Sequence, residues 1–214
     1  MSLASSLRKL LQHSKRSDVL PTEVTLASNV QHRATLLALE EEIFLESGYG
    51  DMTAYEKYIP QSRILGAYRP QIEKPVGVVR LIAGKPLLPP FFSPVFKVKE
   101  RKYWESLAAE ELLEELGTVA VEKSYRGKGV GSSLYKAAYQ DSKSRGITHW
   151  VIVMEPWRVW ALNIKFHGTF RRVGKVKWYM GGFCAPHVMI LQDVEREMSR
   201  KDPATFSWFT GIST

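Results

Sequence analysis

The 214 residues hold 44% apolar and 24% charged side chains, an ordinary balance for a globular chain with a core, which excludes a disordered or fibrous one. No apolar run approaches the roughly 18–20 residues that cross a bilayer. The single cysteine, Cys184, excludes an internal disulfide or a multi-cysteine zinc site and fits a reducing cytoplasm, while the formal net charge of +8 favours anionic partners.

The first stretch, 1–20, carries Arg8, Lys9, Lys15 and Arg16 ahead of its first acid, Asp18, with Leu3, Leu7, Leu10 and Leu11 at helical spacing. It reads as a basic leader able to form a short amphipathic helix against a membrane surface or a partner. It lacks the apolar stretch and small-residue cleavage site of a secretory signal. From 21 to 200 the pattern predicts one domain. TEVTLAS (22–28) alternates as a short strand, and 34–45 has helical spacing, ended by the turn residues of 46–50. Strands are expected at 63–69 and 76–83, separated by a turn running from Pro70 to Pro75. Four prolines among the aromatic and aliphatic residues of 85–99 make that segment an apolar loop rather than a helix or central strand.

A helix is expected from Trp104 to Leu116, leading into a strand over 117–121. A second helix covers 132–144, and THWVIVM (148–154) reads as a buried strand. A helix over 157–167, late strands at 176–181 and 187–192 and a polar helix follow, with 201–214 left as a tail. The fold class is therefore mixed α/β (α+β), without internal repeats.

The informative segment is 116–134, LGTVAVEKSYRGKGVGSSL. A β-branched strand runs through a polar turn into Arg126, Gly127, Lys128, Gly129, Val130, Gly131 and Ser132, and then into a helix. Glycines there let consecutive backbone N–H groups face one concavity, and the helix start adds partial positive charge. A phosphate or diphosphate is the expected ligand, with Arg126 and Lys128 adding charge. A P-loop is excluded because no lysine follows the last glycine. The dinucleotide fingerprint G-x-G-x-x-G is misplaced by one glycine, although Glu155 at the end of the next apolar strand mimics its ribose-binding acid.

The pattern [RQ]-x-x-G-x-[GA], satisfied by Arg126, Gly129 and Gly131, resembles the pyrophosphate loop of the GNAT (Gcn5-related N-acetyltransferase) superfamily. The resemblance implies a single GNAT-like domain: a central sheet of about seven strands with helices on both faces. It also implies an acyltransferase whose donor is an acyl-CoA or an acyl-phosphopantetheine. Val119, Ala120 and Val121 resemble the strand that splays from its neighbour to bind the pantetheine arm, and a backbone N–H there would hold the oxyanion. Val76 to Leu81 and Glu115 to Val121 resemble the matching strands of autoinducer synthases and of long-chain N-acyl amino acid synthases. Those enzymes draw acyl chains from acyl carrier protein, an acidic partner that would suit the basic charge. The autoinducer synthases carry an arginine where Thr118 stands, so the amino-acid-acylating branch, or an ordinary acetyl-CoA-dependent enzyme, is the closer expectation.

Amine acylation needs a base, and Glu115 at the start of the cofactor strand is the first candidate, with Glu155 the second. Arg80 and Thr118 are candidate acceptor contacts, Arg80 through its planar fork on a carboxylate. Many GNAT enzymes protonate the leaving thiolate with a tyrosine seven residues after an asparagine; counting from Asn163 reaches Phe170, which has no proton to give. Cys184 is a remote candidate for an acyl-enzyme nucleophile. The six tryptophans read mostly as core or pocket walls. Scattered histidines without HExxH spacing predict no metal. Two non-catalytic alternatives stay open: a CoA-binding sensor and a basic nucleic-acid-binding module.

Overall fold

The computed structural model describes residues 21–50 and 52–212; the expected leader over 1–20 lies outside the described residues. The alternating TEVTLAS stretch forms β1 (Glu23–Leu26), which pairs antiparallel with β2 (Ser62–Arg69). β2 returns through a turn at Pro70 and Gln71 into β3 (Ile72–Ala83). The turn is shorter than expected because Pro75 lies inside β3, at the register shift between the pairs of Ala67 and Arg69, where its missing N–H breaks no regular ladder. β4 (Leu113–Val121), β5 (His149–Met154), β6 (Arg171–Arg172), β7 (Lys177–Tyr179) and β8 (Gly182–Ile190) complete the strands. The order is β1-β2-β3-β4-β5-β8-β6, with β7 on β8, and the β4–β5 pairing is parallel. The eighth strand is β6, a two-residue pairing too short to show periodicity.

Helices cover both faces. α1 (Val30–Glu46) starts four residues earlier than expected because Asn29 caps it, its Oδ1 accepting the His32 N–H at 2.8 Å. Leu36 and Ile43 of α1 pack on Ile64, Val78 and Ala120. α2 (Thr53–Glu56) and the following turn seat Tyr55 and Tyr58 against Ile82. α3 (Arg101–Ala109) ends before β4, so Glu114 and Glu115 lie on a strand, not at the end of the expected helix. On the opposite face α4 (Val130–Ser144), α5 (Pro156–Lys165) and α6 (Leu191–Lys201) build the largest core cluster around Leu134, Trp150 and Phe166.

The expected tail is corrected: 201–214 contains α7 (Pro203–Thr210), started by Asp202, whose carboxylate accepts the Thr205 N–H at 3.0 Å. Phe209 is only 1% exposed and packs its ring on Tyr139 and Phe166, so α7 is part of the core. The proline segment is also core. Its two short 3-10 turns bury Phe91, Phe92 and Phe96 with Trp104, Val151 and Val188. The tryptophan expectation holds for Trp104 and Trp150, which are core, and for Trp157, which is exposed but lines the cleft described below; it fails for Trp160, Trp178 and Trp208, which are exposed.

One irregularity creates the cleft. β3 pairs Arg80 with Thr118 but Leu81 with Leu116, leaving Gly117 as an extra residue in β4. A Cβ on Gly117 would stand 2.7 Å from Ile82 Cδ1, so any larger residue would have to push that core side chain aside. The bulge resets the alternation, so that Glu115 and Thr118 face the α1 side together. β4 pairs with β5 only from Leu113 to Glu115; beyond that β5 continues against β8 alone. The two strands part, and the free edge of β4 faces open space.

Candidate active site

A cleft of about 420 Å³ occupies the gap, walled by Gly117, Thr118, Val119, Ala120 and Val121 on one side and Val153, Met154 and Glu155 on the other. At one end stands the glycine loop. Arg126 donates from Nε to the Val121 carbonyl at 2.9 Å, which latches its guanidinium to the strand end and into the cleft lining. Gly127 and Gly129 adopt φ of +78° and +87°, and Gly129 is the N-cap of α4. No side chain caps that helix, so its first N–H groups stay open to an anion. Val130 is core and contributes only backbone. Lys128 lies 5.7 Å from the Tyr125 ring.

Lys165 stands beside the first turn of α4, where no local pattern announces it, because only the packing of α5 on α4 brings it there. Its Nζ donates to Ser132 Oγ at 2.5 Å, and burial depresses its pKa to about 8. A phosphate beside it would favour the charged form. Lys165→Met is expected to weaken binding of a phosphate-bearing ligand at the α4 start about tenfold near neutral pH. In the unmodified protein affinity for such a ligand should fall as pH rises past about 8, where the free lysine loses its proton, and titration calorimetry across pH checks both.

Apolar and aromatic side chains complete the cleft. Ile43, Phe44, Leu116, Trp157 and Met180 line it together with Tyr49, Tyr55, Tyr179 and Cys184. Glu155 lines it too; its Oε1 accepts the Tyr49 hydroxyl at 2.6 Å, and Oε2 pairs with Arg158 at 3.1 Å. Glu115 stands behind the lining, fully buried. Oε2 accepts the Phe91 N–H at 2.7 Å and Oε1 has no hydrogen-bond partner. Desolvation pushes its pKa up to about 8 against that one hydrogen bond. Tyr55 and Tyr179, hydrogen-bonded to each other, both feel the Glu115 charge and stand at the cleft wall.

The structure brings Glu155, Thr118, Arg126 and the strand 119–121 to one cleft, but Arg80 is absent from its lining. Arg80 is 3% exposed, ion-paired with Glu40 and donating to the Tyr55 carbonyl at 3.4 Å. Thr118 gives its hydroxyl to the other Glu40 oxygen. This buried triad ties α1 to the sheet beneath the cleft, so an acceptor carboxylate would have to displace Glu40 to reach Arg80. Phe170 is core, and Asn163 binds its backbone through both amide atoms. Burial holds the Cys184 thiol up at about 11, far from a reactive thiolate.

Residues 33–167 match the sequence profile of the Acetyltransferase (GNAT) family, which is more than half of the chain. The chain belongs to that family. It is an acyltransferase, with the GNAT mixed sheet and its splayed strands. Among solved structures it is similar to FeeM, an N-acyl amino acid synthase from uncultured soil microbes, with a TM-score of 0.66 at 12% identity over 83% of this chain and 94% of that one. A putative N-acetyltransferase from Lactobacillus plantarum gives 0.56 at 21% identity, over 79% and 98%. A Bacillus subtilis acetyltransferase in complex with CoA gives 0.50 at 14% identity, over 79% and 99%. No curated protein sequence matches. Among the described residues no helix is long and apolar enough to cross a membrane, and no group of three or more His, Cys, Asp or Glu could hold a metal ion.

Proposed function

We propose that this GNAT enzyme is an N-acyltransferase that moves an acyl group from acyl-CoA to the amine of a small acceptor, an amino acid being the acceptor and a long chain the acyl group we favour. The observation that carries the reading is one cleft that runs along the free edge of β4 among apolar and aromatic side chains and has Arg126 in its lining. Two left-handed glycines and the uncapped start of α4 follow Arg126 directly in the chain. A diphosphate would rest on the α4 N-terminus with Arg126, Lys128 and Lys165 around it. The pantetheine arm would hydrogen-bond to the β4 edge at Val119, Ala120 and Val121. A carrier-bound phosphopantetheine has a single phosphate and needs no diphosphate cradle, so the loop favours CoA over acyl carrier protein as donor. The apolar side chains of the cleft give an acyl chain a dry wall.

In the reaction the amine nitrogen attacks the thioester carbonyl, the C–S bond breaks, and the amine proton leaves to a base. Glu155, at the cleft wall, would bind the acceptor's ammonium, which gives its first proton to water so that the neutral amine attacks. Glu115 would take the second proton by relay once a hydroxyl of the Tyr55–Tyr179 pair turns onto its free Oε1: the amine proton passes to that tyrosine oxygen while the tyrosine proton passes to the carboxylate. An N–H of the β4 edge would hold the oxyanion. The CoA thiolate, a stable leaving group, then takes its proton from solvent.

Native mass spectrometry with acetyl-CoA, palmitoyl-CoA and acylated carrier protein, supplied separately, tests the donor, and turnover against the amino acids tests the acceptor. Tight palmitoyl-CoA binding with acyl amino acid formed is the expected result. Preference for acetyl-CoA would make the enzyme an ordinary acetyltransferase, and selective binding of the carrier protein would overturn the choice of CoA. Binding without turnover of any amine would return it to a sensor.

A further inference from the structure

The exposed aromatic side chains on the hairpin of β7 and β8 are unexplained by the acyl-transfer cleft. Trp178 and Phe183 are direct cross-strand partners with ring centroids 5.1 Å apart, yet they are 62% and 63% exposed. Val176, two residues before Trp178, is exposed as well. Two large rings packed on each other and left in water form an apolar patch that a soluble surface seldom keeps.

The base of the same hairpin is strongly basic. The Lys99 N–H donates to the Val173 carbonyl at 2.7 Å and the Lys175 N–H to the Phe96 carbonyl at 2.8 Å, clipping 97–99 onto 173–175. Gly174 permits this close seating, since a Cβ there would stand 2.4 Å from Pro186 Cγ. Lys97, Lys99, Arg172 and Lys175 consequently line one groove together with Gly174 and Val176, and no acid lines it. Among the described residues none of these four cations forms an ion pair with a carboxylate; Glu100, beside Lys99 in the chain, is exposed and outside the groove lining. Val176 belongs to both the groove and the aromatic stretch, which makes them one surface.

We propose that this surface docks the enzyme on an anionic lipid bilayer. Lys177, exposed between Val176 and Trp178 in the chain, projects from β7 on the side opposite Trp178, while the four groove cations sit at the base of the hairpin and the ring pair nearer its turn. A bilayer is stratified in the same way. Headgroup phosphates and carboxylates would fill the groove, while Trp178, Phe183 and Val176 enter the interface, where amphipathic rings are favoured. Cations and inserted rings together supply the two signals that stable peripheral attachment needs. The hairpin turn also rests on the loop around Tyr49, a cleft residue, with Gly181 close to the Gly48 carbonyl. The bilayer would therefore lie near the cleft mouth. This docking does not depend on which acyl group the cleft accepts.

Co-sedimentation of the full chain with vesicles tests it, comparing phosphatidylcholine alone with a mixture containing phosphatidylserine. Binding is expected only to the anionic vesicles and should weaken as salt rises. The pair Trp178→Ala with Phe183→Ala should weaken it roughly tenfold, and Lys97→Glu with Lys175→Glu roughly 100-fold. All four side chains are exposed, so unchanged thermal midpoints would show that these variants fold. Absence of vesicle binding by the unmodified chain would overturn the proposal. Undiminished binding by both variants would also overturn it, placing the contact elsewhere on the chain. If an acidic carrier protein binds in a manner sensitive to the charge reversals while vesicles do not, the surface is a protein interface and the proposal is wrong.

Discussion

Replacing Glu115 with glutamine is expected to lower kcat roughly 100-fold while leaving the donor Kd nearly unchanged. The carboxylate is buried, one oxygen is unpartnered, and its pKa of about 8 lies where a general base works near neutral pH. Glutamine keeps the shape and an acceptor for the Phe91 N–H but cannot take a proton. The base must be ionised, so kcat of the unmodified enzyme should rise with pH to a plateau above about 8, and the variant should lose that limb. Stability moves the opposite way. Between the ordinary carboxylate range and about 8 the folded Glu115 keeps a proton that the unfolded chain gives up, so ionisation of this group costs stability as pH rises through that window. Denaturant midpoints of the glutamine variant should show a flatter pH dependence there. Tyr179→Phe should share the loss in kcat if the relay runs through the tyrosine pair. Full activity in the Glu115 variant with loss in Glu155→Gln would move the base to Glu155, which lines the cleft directly.

How much of this could be read from the sequence differs between the two ends of the cleft. The end we assign to the donor is nearly contiguous: strand, polar turn, Arg126, two left-handed glycines and helix fall within one stretch, so the local pattern states its geometry. Lys165 is the exception there, placed by packing between helices. The acceptor end is assembled from α1, β5 and the β7–β8 hairpin, and Tyr49, Tyr55 and Tyr179 carry no local mark distinguishing a cleft tyrosine from a core one. Arg80 illustrates the same limit. A strand arginine next to a candidate site invites a substrate role, but its partner Glu40 lies forty residues away on α1, and only the tertiary fold joins them. The acidic run before β4 misled for a different reason. Glu114 and Glu115 continue a helical-looking pattern, yet the helix stops at Ala109 and both acids become strand residues in the interior, Glu114 held by Arg145 at 2.7 Å. Trp160, Trp178 and Trp208 escaped the expectation because hydrophobic size predicts burial only on average. Four of the six are exposed, and Trp178 sits on the surface we assign to the bilayer.

Replacing Gly129 with valine is expected to abolish CoA binding, lowering affinity at least about 100-fold, while the protein stays folded. Gly129 has φ of +87° at the α4 N-cap, where a β-branched residue is strained by roughly 1–2 kcal/mol. A domain of this size has about 5–15 kcal/mol of stability and tolerates that strain. The binding loss has two causes: the loop must shift to relieve the strain, and a branched side chain would stand where a diphosphate has to approach backbone N–H groups. Gly131→Ala is the control. Gly131 lies within α4, its Cβ would meet nothing nearer than Val121 Cγ2 at 3.8 Å, and alanine satisfies the same loop pattern. Alanine is also the better helix former, so this variant should bind CoA normally and melt no lower than the unmodified enzyme. Calorimetry with CoA alongside thermal unfolding separates the outcomes. Unimpaired CoA binding in folded Gly129→Val would mean that the helix start does not carry the diphosphate, and the assignment of the donor end would have to be withdrawn. Loss of binding in both variants would place the critical approach at Gly131 instead, two residues past the N-cap within the first turn, and would point to an anion seated between α4 and Lys165.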